Sequence, residues 1–406
     1  MNHNHYDVAI IGGGIGGVAA AVSAAESGAQ TLLVESSWRF GGVPVNSLIA
    51  SFSQPIPPGK TAPTFQDILM NRLAARGALS CDEFDDVALS LILDELLTQS
   101  GAELLLGTEM IEVEADAGNV SSVTLYNASG RRKVSADIFI DGTGDGNLCV
   151  AAGAEFELGN RKNGLCQPMT LPFFMSGVDF DRMPPMKEIN HRYNIAKARG
   201  LLHNPREDVL FFRLPVPGTL LFNSTRLNGY DPTDAASLTR AMIEARRQVA
   251  EMSLFLKTLP GFEHAFLSRI GSKIGVRESR RIRCDYMFSE EDMNRAAHFE
   301  DSILRSTSHV DIHSPTGSGT RFEPLPPGVE GYEVPFRSLL PVGLSNVIIG
   351  SRCIGATHEA FSAIRMIGHV GEYGRAAGFA AAECIRQKRN PREIDLTPVR
   401  KKLGMI

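Results

Sequence analysis

The chain has 406 residues, enough for two or three domains at roughly 100–200 residues each. Hydrophobic residues make up 43% and charged residues 21%, so the chain can bury a sizeable core. A net charge of −5 and a single Trp argue against a basic footprint or stacking platform for nucleic acid. The six Cys lie far apart with no C-x-x-C pair, which argues against a disulfide framework or a structural zinc site and suggests a reducing compartment. Val8–Ala25 is uncharged for 18 residues, but five are Gly, so no membrane span is expected. With no secretory leader pattern either, a soluble cytoplasmic protein with no metal is expected.

Tyr6–Ile11 is a short apolar, β-branched run that predicts a strand. Gly12, Gly14 and Gly17 follow as G-x-G-x-x-G, with Gly16 inside the motif, and open an Ala-rich helix that runs to about Ser27. Gly28 stands where a C-cap is needed. Thr31–Val34 is a second strand, closed by Glu35 18 residues after Gly17. A strand, Gly-rich turn, helix, strand and acid at these spacings form a dinucleotide cradle. Gly12 permits the turn, Gly14 lets backbone N–H groups touch a pyrophosphate, and Gly17 lets helix pack on strand. The helix N-terminus offers free donors to the phosphates, and Glu35 accepts from ribose hydroxyls.

Trp38-Arg39-Phe40-Gly41-Gly42 comes next, followed by Val43-Pro44-Val45-Asn46-Ser47. A paired Gly allows backbone to approach a flavin ring, which a nicotinamide-binding domain does not require, so the expected cofactor is FAD. Val43 joins the expected cofactor contacts and Asn46 the expected substrate contacts. Residues 51–77, Pro-rich at 55–63, could be a lid or a surface excursion. Asp85–Gln99 predicts a helix, 102–106 a strand, and 108–114, 119–126 and 131–134 a small antiparallel meander. A buried strand at 136–140 then runs into Asp141-Gly142-Thr143-Gly144-Asp145-Gly146, where Gly142, Gly144 and Asp145 are candidate second contacts to the cofactor.

Residues 160–335 differ in texture, with Pro-punctuated strands and one long helix, capped by Thr233 or Asp234 and reaching about Leu259. Its Leu238, Met242, Ala245, Val249, Met252 and Leu256 form one apolar face, read as a core stripe. Residues 309–331 are a second candidate lid. Arg277, Arg280, Arg281 and Arg283 concentrate positive charge. Some should form ion pairs with neighbouring acids, and Arg277 or Arg280 could hold an anionic substrate bidentately.

Ser345–Gly350 predicts a strand, followed by Ser351–Glu359 and a helical stretch to about Gln387. That stretch contains Gly374 and Ala377, which either approach the cofactor or pack closely on a neighbouring element. A helix start near the flavin would favour the negative charge of the reduced ring.

With these motifs in place, the sequence resembles the FAD-dependent oxidoreductases of the glutathione-reductase structural class, relatives of the fumarate reductase flavoprotein subunit. The resemblance rests on the N-terminal fingerprint through Gly42, the Asp141–Asp145 turn, Asn223–Arg226, Ile274–Arg281, Ser351–Arg365 and Gly374–Gly378. It implies an α/β architecture. A Rossmann-like FAD-binding domain, a parallel sheet plus the meander, is formed by residues 1–160 and 336–406. An α+β substrate domain is inserted at 161–335. Relatives often end the last strand in Gly-Asp, whereas Gly350-Ser351-Arg352 stands here, which suggests a cofactor or catalytic role for Arg352.

His358, with an imidazole suited to neutral pH, is the expected base, and Arg365 two helical turns on could share its face. Glu359, and His309 or His313 on the second lid, are competitors. The absence of a second G-x-G-x-x-G and of a Cys pair argues against a disulfide reductase. No His flanks the Gly pair, so FAD should be noncovalent. The function expected is hydride transfer between flavin and a small polar substrate, anionic ones included. The alternative is an electron-transfer subunit or redox sensor with little turnover. The expected partner is the small-molecule substrate, with no nucleic acid or membrane and with homo-oligomerisation left open.

Overall fold

The computed structural model describes residues 4–53, 56–57 and 61–406. The strand His5–Ile11 pairs in parallel with Thr31–Val34 on one side and with the far half of Gly130–Asp141 on the other. Thr31–Val34 in turn pairs in parallel with Glu103–Leu105. Val8, Ala9, Ile10, Leu32 and Leu33 are fully buried, so these runs are held by two-sided burial, as parallel strands require. Val347–Ile349 adds itself in parallel to Phe139–Asp141. The two ends of the chain therefore share one sheet.

The meander strand expected at 131–134 and the core strand expected at 136–140 are one strand, Gly130–Asp141. Its first residues pair antiparallel with Asn119–Asn127, and residues 135–141 pair in parallel with the first strand. No turn residue separates the two halves, so the strand changes partner instead of ending.

Helices Ile15–Glu26 and Ile367–Gln387 cross on the sheet through small residues. A Cβ at Gly374 would fall 2.0 Å from the Gly16 carbonyl oxygen, and one at Gly378 would fall 2.3 Å from that of Ala20. The helical stretch expected through Gln387 breaks at Arg365. His358–Ile364 ends there, and the Tyr373 hydroxyl donates to the Ile364 carbonyl at 3.0 Å, satisfying one of its terminal acceptors.

A second, antiparallel sheet runs in the order Phe211–Arg213, Leu220–Phe222, Phe173–Ser176, Phe266–Ile270. Side chains alternate across it. Phe173 stacks on Phe222 with centroids 5.1 Å apart, in a core filled by helices Met186–Ala198 and Ala235–Leu256. Phe174 and Leu221 face the other way, into the first core. Asp234 caps the long helix, accepting from the Ser237 N–H at 2.6 Å. This second buried cluster draws on residues 169–274, whereas Ile282 to Leu344 pack with the first.

Of the two candidate lids, 309–331 contains a hairpin of Val310–His313 and Thr320–Glu323. Segment 51–77 contains the helix Phe65–Ala74, whose first N–H is held by Glu372 Oε1 at 2.6 Å. Part of its Pro-rich stretch lies outside the described residues. Among the described residues, no helix is long and apolar enough to cross a membrane, and no cluster of three metal-ligating side chains occurs.

Candidate active site and cofactor cradle

A cavity of about 1320 Å³ opens between the two cores. Single-ligand sites are usually about 300–1,000 Å³, so this one has room for a dinucleotide and a second molecule. Gly12, Gly14, Gly16, Glu35, Gly41, Gly42, Val43, Gly142, Gly144, Asp145 and Arg352 all line it. Eleven of the fourteen residues read from the sequence as cofactor contacts thus converge on one space.

The local geometry explains the glycines. Gly12 has φ +102°, and a Cβ there would lie 2.5 Å from the Gly142 carbonyl, so only glycine fits that turn. At Gly14 a Cβ would meet nothing closer than 3.9 Å, yet the residue caps the first helix with no side-chain bond. The protein leaves that spot, and the helix N–H groups beyond it, open to the cavity. The Gly41 N–H donates to the Gly13 carbonyl at 2.8 Å, which folds the Gly pair back onto the first turn. This is a cradle a side chain would fill, and it fits a pyrophosphate.

Glu35 Oε2 accepts from the Gly13 N–H at 2.8 Å, and Oε1 from the Ser37 N–H at 2.7 Å. Burial alone would raise its pKa, but the Lys273 ammonium and the Ser37 and Gly13 donors hold it below the ordinary carboxylate range. It is therefore an ionised acceptor for ribose hydroxyls. At the other end, buried Asp141 takes the Thr143 N–H at 3.0 Å and the Cys149 N–H at 3.0 Å, which shapes the Gly142–Gly146 turn. Arg352 Nη2 donates to Asp145 Oδ1 at 2.5 Å, while its buried Nε has no acceptor among the described residues. The first turn of Ile367–Gln387 also reaches the cavity through Met366, Ile367 and Val370.

Several expected contacts lie elsewhere. Gly17 serves helix-on-strand packing, since a Cβ would fall 1.8 Å from the Gly12 oxygen. Gly374 and Ala377 are buried between helices and sheet and do not line the cavity, so close packing is their role. The buried Asn46 amide donates to the Arg39 carbonyl at 3.2 Å, away from the cavity. Arg280 braces the Gly-rich turn, bonding the Asp145 carbonyl at 3.1 Å and Asn147 Oδ1 at 2.8 Å.

His358 also lies off the cavity. Its Nδ1 is 2.7 Å from Glu278 Oε1, and Glu278 is fully buried and paired with Arg281. Glu278 Oε2 takes the Gln167 N–H at 3.0 Å, and Gln167 Oε1 takes the His313 N–H at 3.2 Å. His358 is thus part of a buried polar network beneath the site, bound to Glu278, while Arg365, at the end of the same helix, pairs with Asp311 instead.

Arg365 does reach the cavity, and it meets Arg277, Arg206, Asp311 and His313 there. Arg206 Nε is paired with Asp208 at 2.9 Å and Arg365 with Asp311 at 3.4 Å. Arg277 has the Pro168 carbonyl at 2.7 Å and, among the described residues, no carboxylate partner. Burial, then the Arg365 and Arg206 charges, lower its pKa to about 9. Among the described residues, the buried Arg365 Nε and Gln167 Nε2 lack acceptors. His313 sits among these cations, with Nδ1 3.0 Å from Thr320 Oγ1 and Nε2 3.5 Å from Asp311 Oδ1. Burial and the surrounding guanidiniums push its pKa far down, so the imidazole is neutral.

Sequence reasoning missed Arg206, Asp311 and Lys273, which stand in loops or strands with no periodic or motif signal. Leu238 and Met242, read as core, do pack against the second core and also line the cavity at the start of the long helix. Only the downstream part of that apolar stripe is fully buried.

Comparison with known proteins places the chain more broadly. No curated protein sequence matches it. Its fold is similar to a geranylgeranyl bacteriochlorophyll reductase-like protein from Thermoplasma acidophilum at 15% identity and TM-score 0.48, covering 95% of this chain and 80% of that one. It is also similar to L-proline dehydrogenase from P. horikoshii at 12% identity and TM-score 0.45, covering 99% and 97%. The model of one family, described as FAD dependent oxidoreductase, matches residues 7–403. With that match spanning nearly the whole chain and a cradle built for FAD at its centre, the protein belongs to the FAD dependent oxidoreductase family.

Proposed function

We propose that the protein transfers a hydride between FAD and a small anionic substrate, with Arg277 as the anion anchor and His313 handling the proton. When bound, FAD supplies the two-electron redox chemistry. The residues of this chain bind, orient and exchange the proton. The reading is carried by the cationic end of the cavity, where, among the described residues, Arg277 has no carboxylate partner and the buried Arg365 Nε lacks an acceptor. Buried donors without acceptors are costly, and a substrate carboxylate would satisfy them.

Burial is the larger cause of the low basicity of His313, and a bound anion offsets the guanidinium share of it. Thr320 lines the cavity and its hydroxyl lies 3.0 Å from His313 Nδ1, so a substrate hydroxyl or amine can pass its proton through Thr320. Asp311, 3.5 Å from Nε2, stabilises the imidazolium that results. Arg206 and Arg277 come from chain in or beside the second core, and the hairpin comes from chain that packs with the first, so the substrate end would be closed from both sides. The kinship with fumarate reductase flavoprotein subunits drawn from motif order belongs to this same reading.

Anaerobic bleaching of the flavin near 450 nm by a panel of metabolites tests the proposal. Carboxylates should reduce the flavin and their amides or esters should not. Equal bleaching by the uncharged analogues removes the anion anchor. Reduction only by an artificial electron carrier would favour the electron-transfer alternative.

A further inference from the structure

We propose that Lys273, carried by the inserted segment, is a cofactor-binding residue that counters the charge of Glu35 and the FAD pyrophosphate and fastens the adenosine half in place. Its ammonium lies 3.2 Å from Ser36 Oγ and 3.5 Å from Glu35 Oε1, at the edge of the cavity. Among the described residues, it is the cation within ion-pairing distance of that carboxylate.

The backbone delivers it there. The Lys273 N–H and the Ser272 hydroxyl both donate to the Asn46 carbonyl at 3.0 Å. The Ser47 hydroxyl donates to the Ile274 carbonyl at 3.1 Å. Gly275 and Thr170 exchange backbone bonds of 2.8 and 3.1 Å on the inserted side. Residues 272–274 thus form a strap from the second sheet onto the short helix Val43–Asn46, which directly follows the Gly pair.

Electrostatics supply the reason for a lysine. An ionised Glu35 and a doubly charged pyrophosphate share one end of the cavity, and a helix N-terminus offers only about half a positive charge. Lys273 is 53% exposed, so its flexible head can move from Ser36 toward a phosphate or ribose oxygen without strain. Cofactor affinity is then coupled to docking of the inserted segment, because the ammonium and the cradle come from different cores.

The test uses apoprotein titrated with FAD by flavin fluorescence, with ADP and FMN as half-cofactor competitors. In Lys273→Ala, FAD and ADP should each bind about tenfold more weakly, the size of one charge-assisted contact, while FMN is unaffected. Lys273→Arg should recover most of the loss, and added salt should narrow the gap between wild type and Ala. Unchanged FAD affinity in Lys273→Ala overturns the proposal. So does an equal loss for ADP and FMN, or a loss that Lys273→Arg fails to restore, since either marks a structural effect. None of these readouts involves substrate, so the result stands apart from the anion-anchor reading.

Discussion

Replacing Arg277 with Met keeps side-chain length and removes the charge. In the native chain Arg277 is held at about 9, against an ordinary value near 12.5–13.8. At 1.36 kcal/mol per pKa unit, even the lower figure implies a burden of about 5 kcal/mol on the apoprotein. Water in the cavity and local relaxation reduce the felt share to roughly 1–3 kcal/mol. The lost bond to the Pro168 carbonyl takes back about 1 kcal/mol. Unfolding entropy near 2.1 cal/mol/K per residue, over 406 residues, converts the remainder into a Tm between unchanged and about 2 °C higher.

Activity should move the other way. Losing charge-assisted bonds of about 1.5–3 kcal/mol raises KM for a carboxylate substrate roughly 10- to 150-fold. Wild-type affinity is complete below pH 9 and weakens as Arg277 deprotonates above it, whereas the Met variant should have a flat KM from pH 7.5 to 10. The unfolded chain keeps this proton above pH 9, so the Arg277 contribution to stability improves as pH climbs through 9. Differential scanning calorimetry of the apoprotein and steady-state kinetics read both effects. A Tm lower by more than about 5 °C, or an unchanged KM, would refute the reasoning, because it would make Arg277 a structural ion and not an anchor.

Two further substitutions separate roles that the sequence left together. His358→Gln should lower Tm by breaking a buried bond worth about 1–3 kcal/mol while leaving the rate of flavin reduction within a few-fold. His313→Gln should slow reduction about 10²- to 10⁴-fold with FAD still bound, and stopped-flow traces at 450 nm distinguish the two. Gly374→Ala should destabilise the fold by 3 kcal/mol or more, since its Cβ would sit 2.0 Å from a backbone oxygen of the crossing helix. Urea melts check this, and a normal melt with weakened FAD binding would return Gly374 to the cofactor.

The N-terminal half of the site was legible in the primary structure because its demands are local. Gly12, Gly14 and Glu35 answer to one turn, one helix start and one strand end, all inside a single strand–helix–strand unit. The Asp141–Gly146 turn could be read for the same reason, following a strand whose burial shows in its composition. Tertiary structure decided the rest. Whether Gly374 faces a ligand or another helix depends on what crosses it. Whether His358 or His313 reaches the cavity depends on a buried carboxylate, Glu278, that holds the first and a hairpin that carries the second from another part of the chain. Arg206 and Lys273 carry no pattern of their own, Arg277 and Arg365 could be flagged but not placed, and the pairing of all four follows from which acids the fold brings within reach. Charges act through space, and only the folded chain sets those distances.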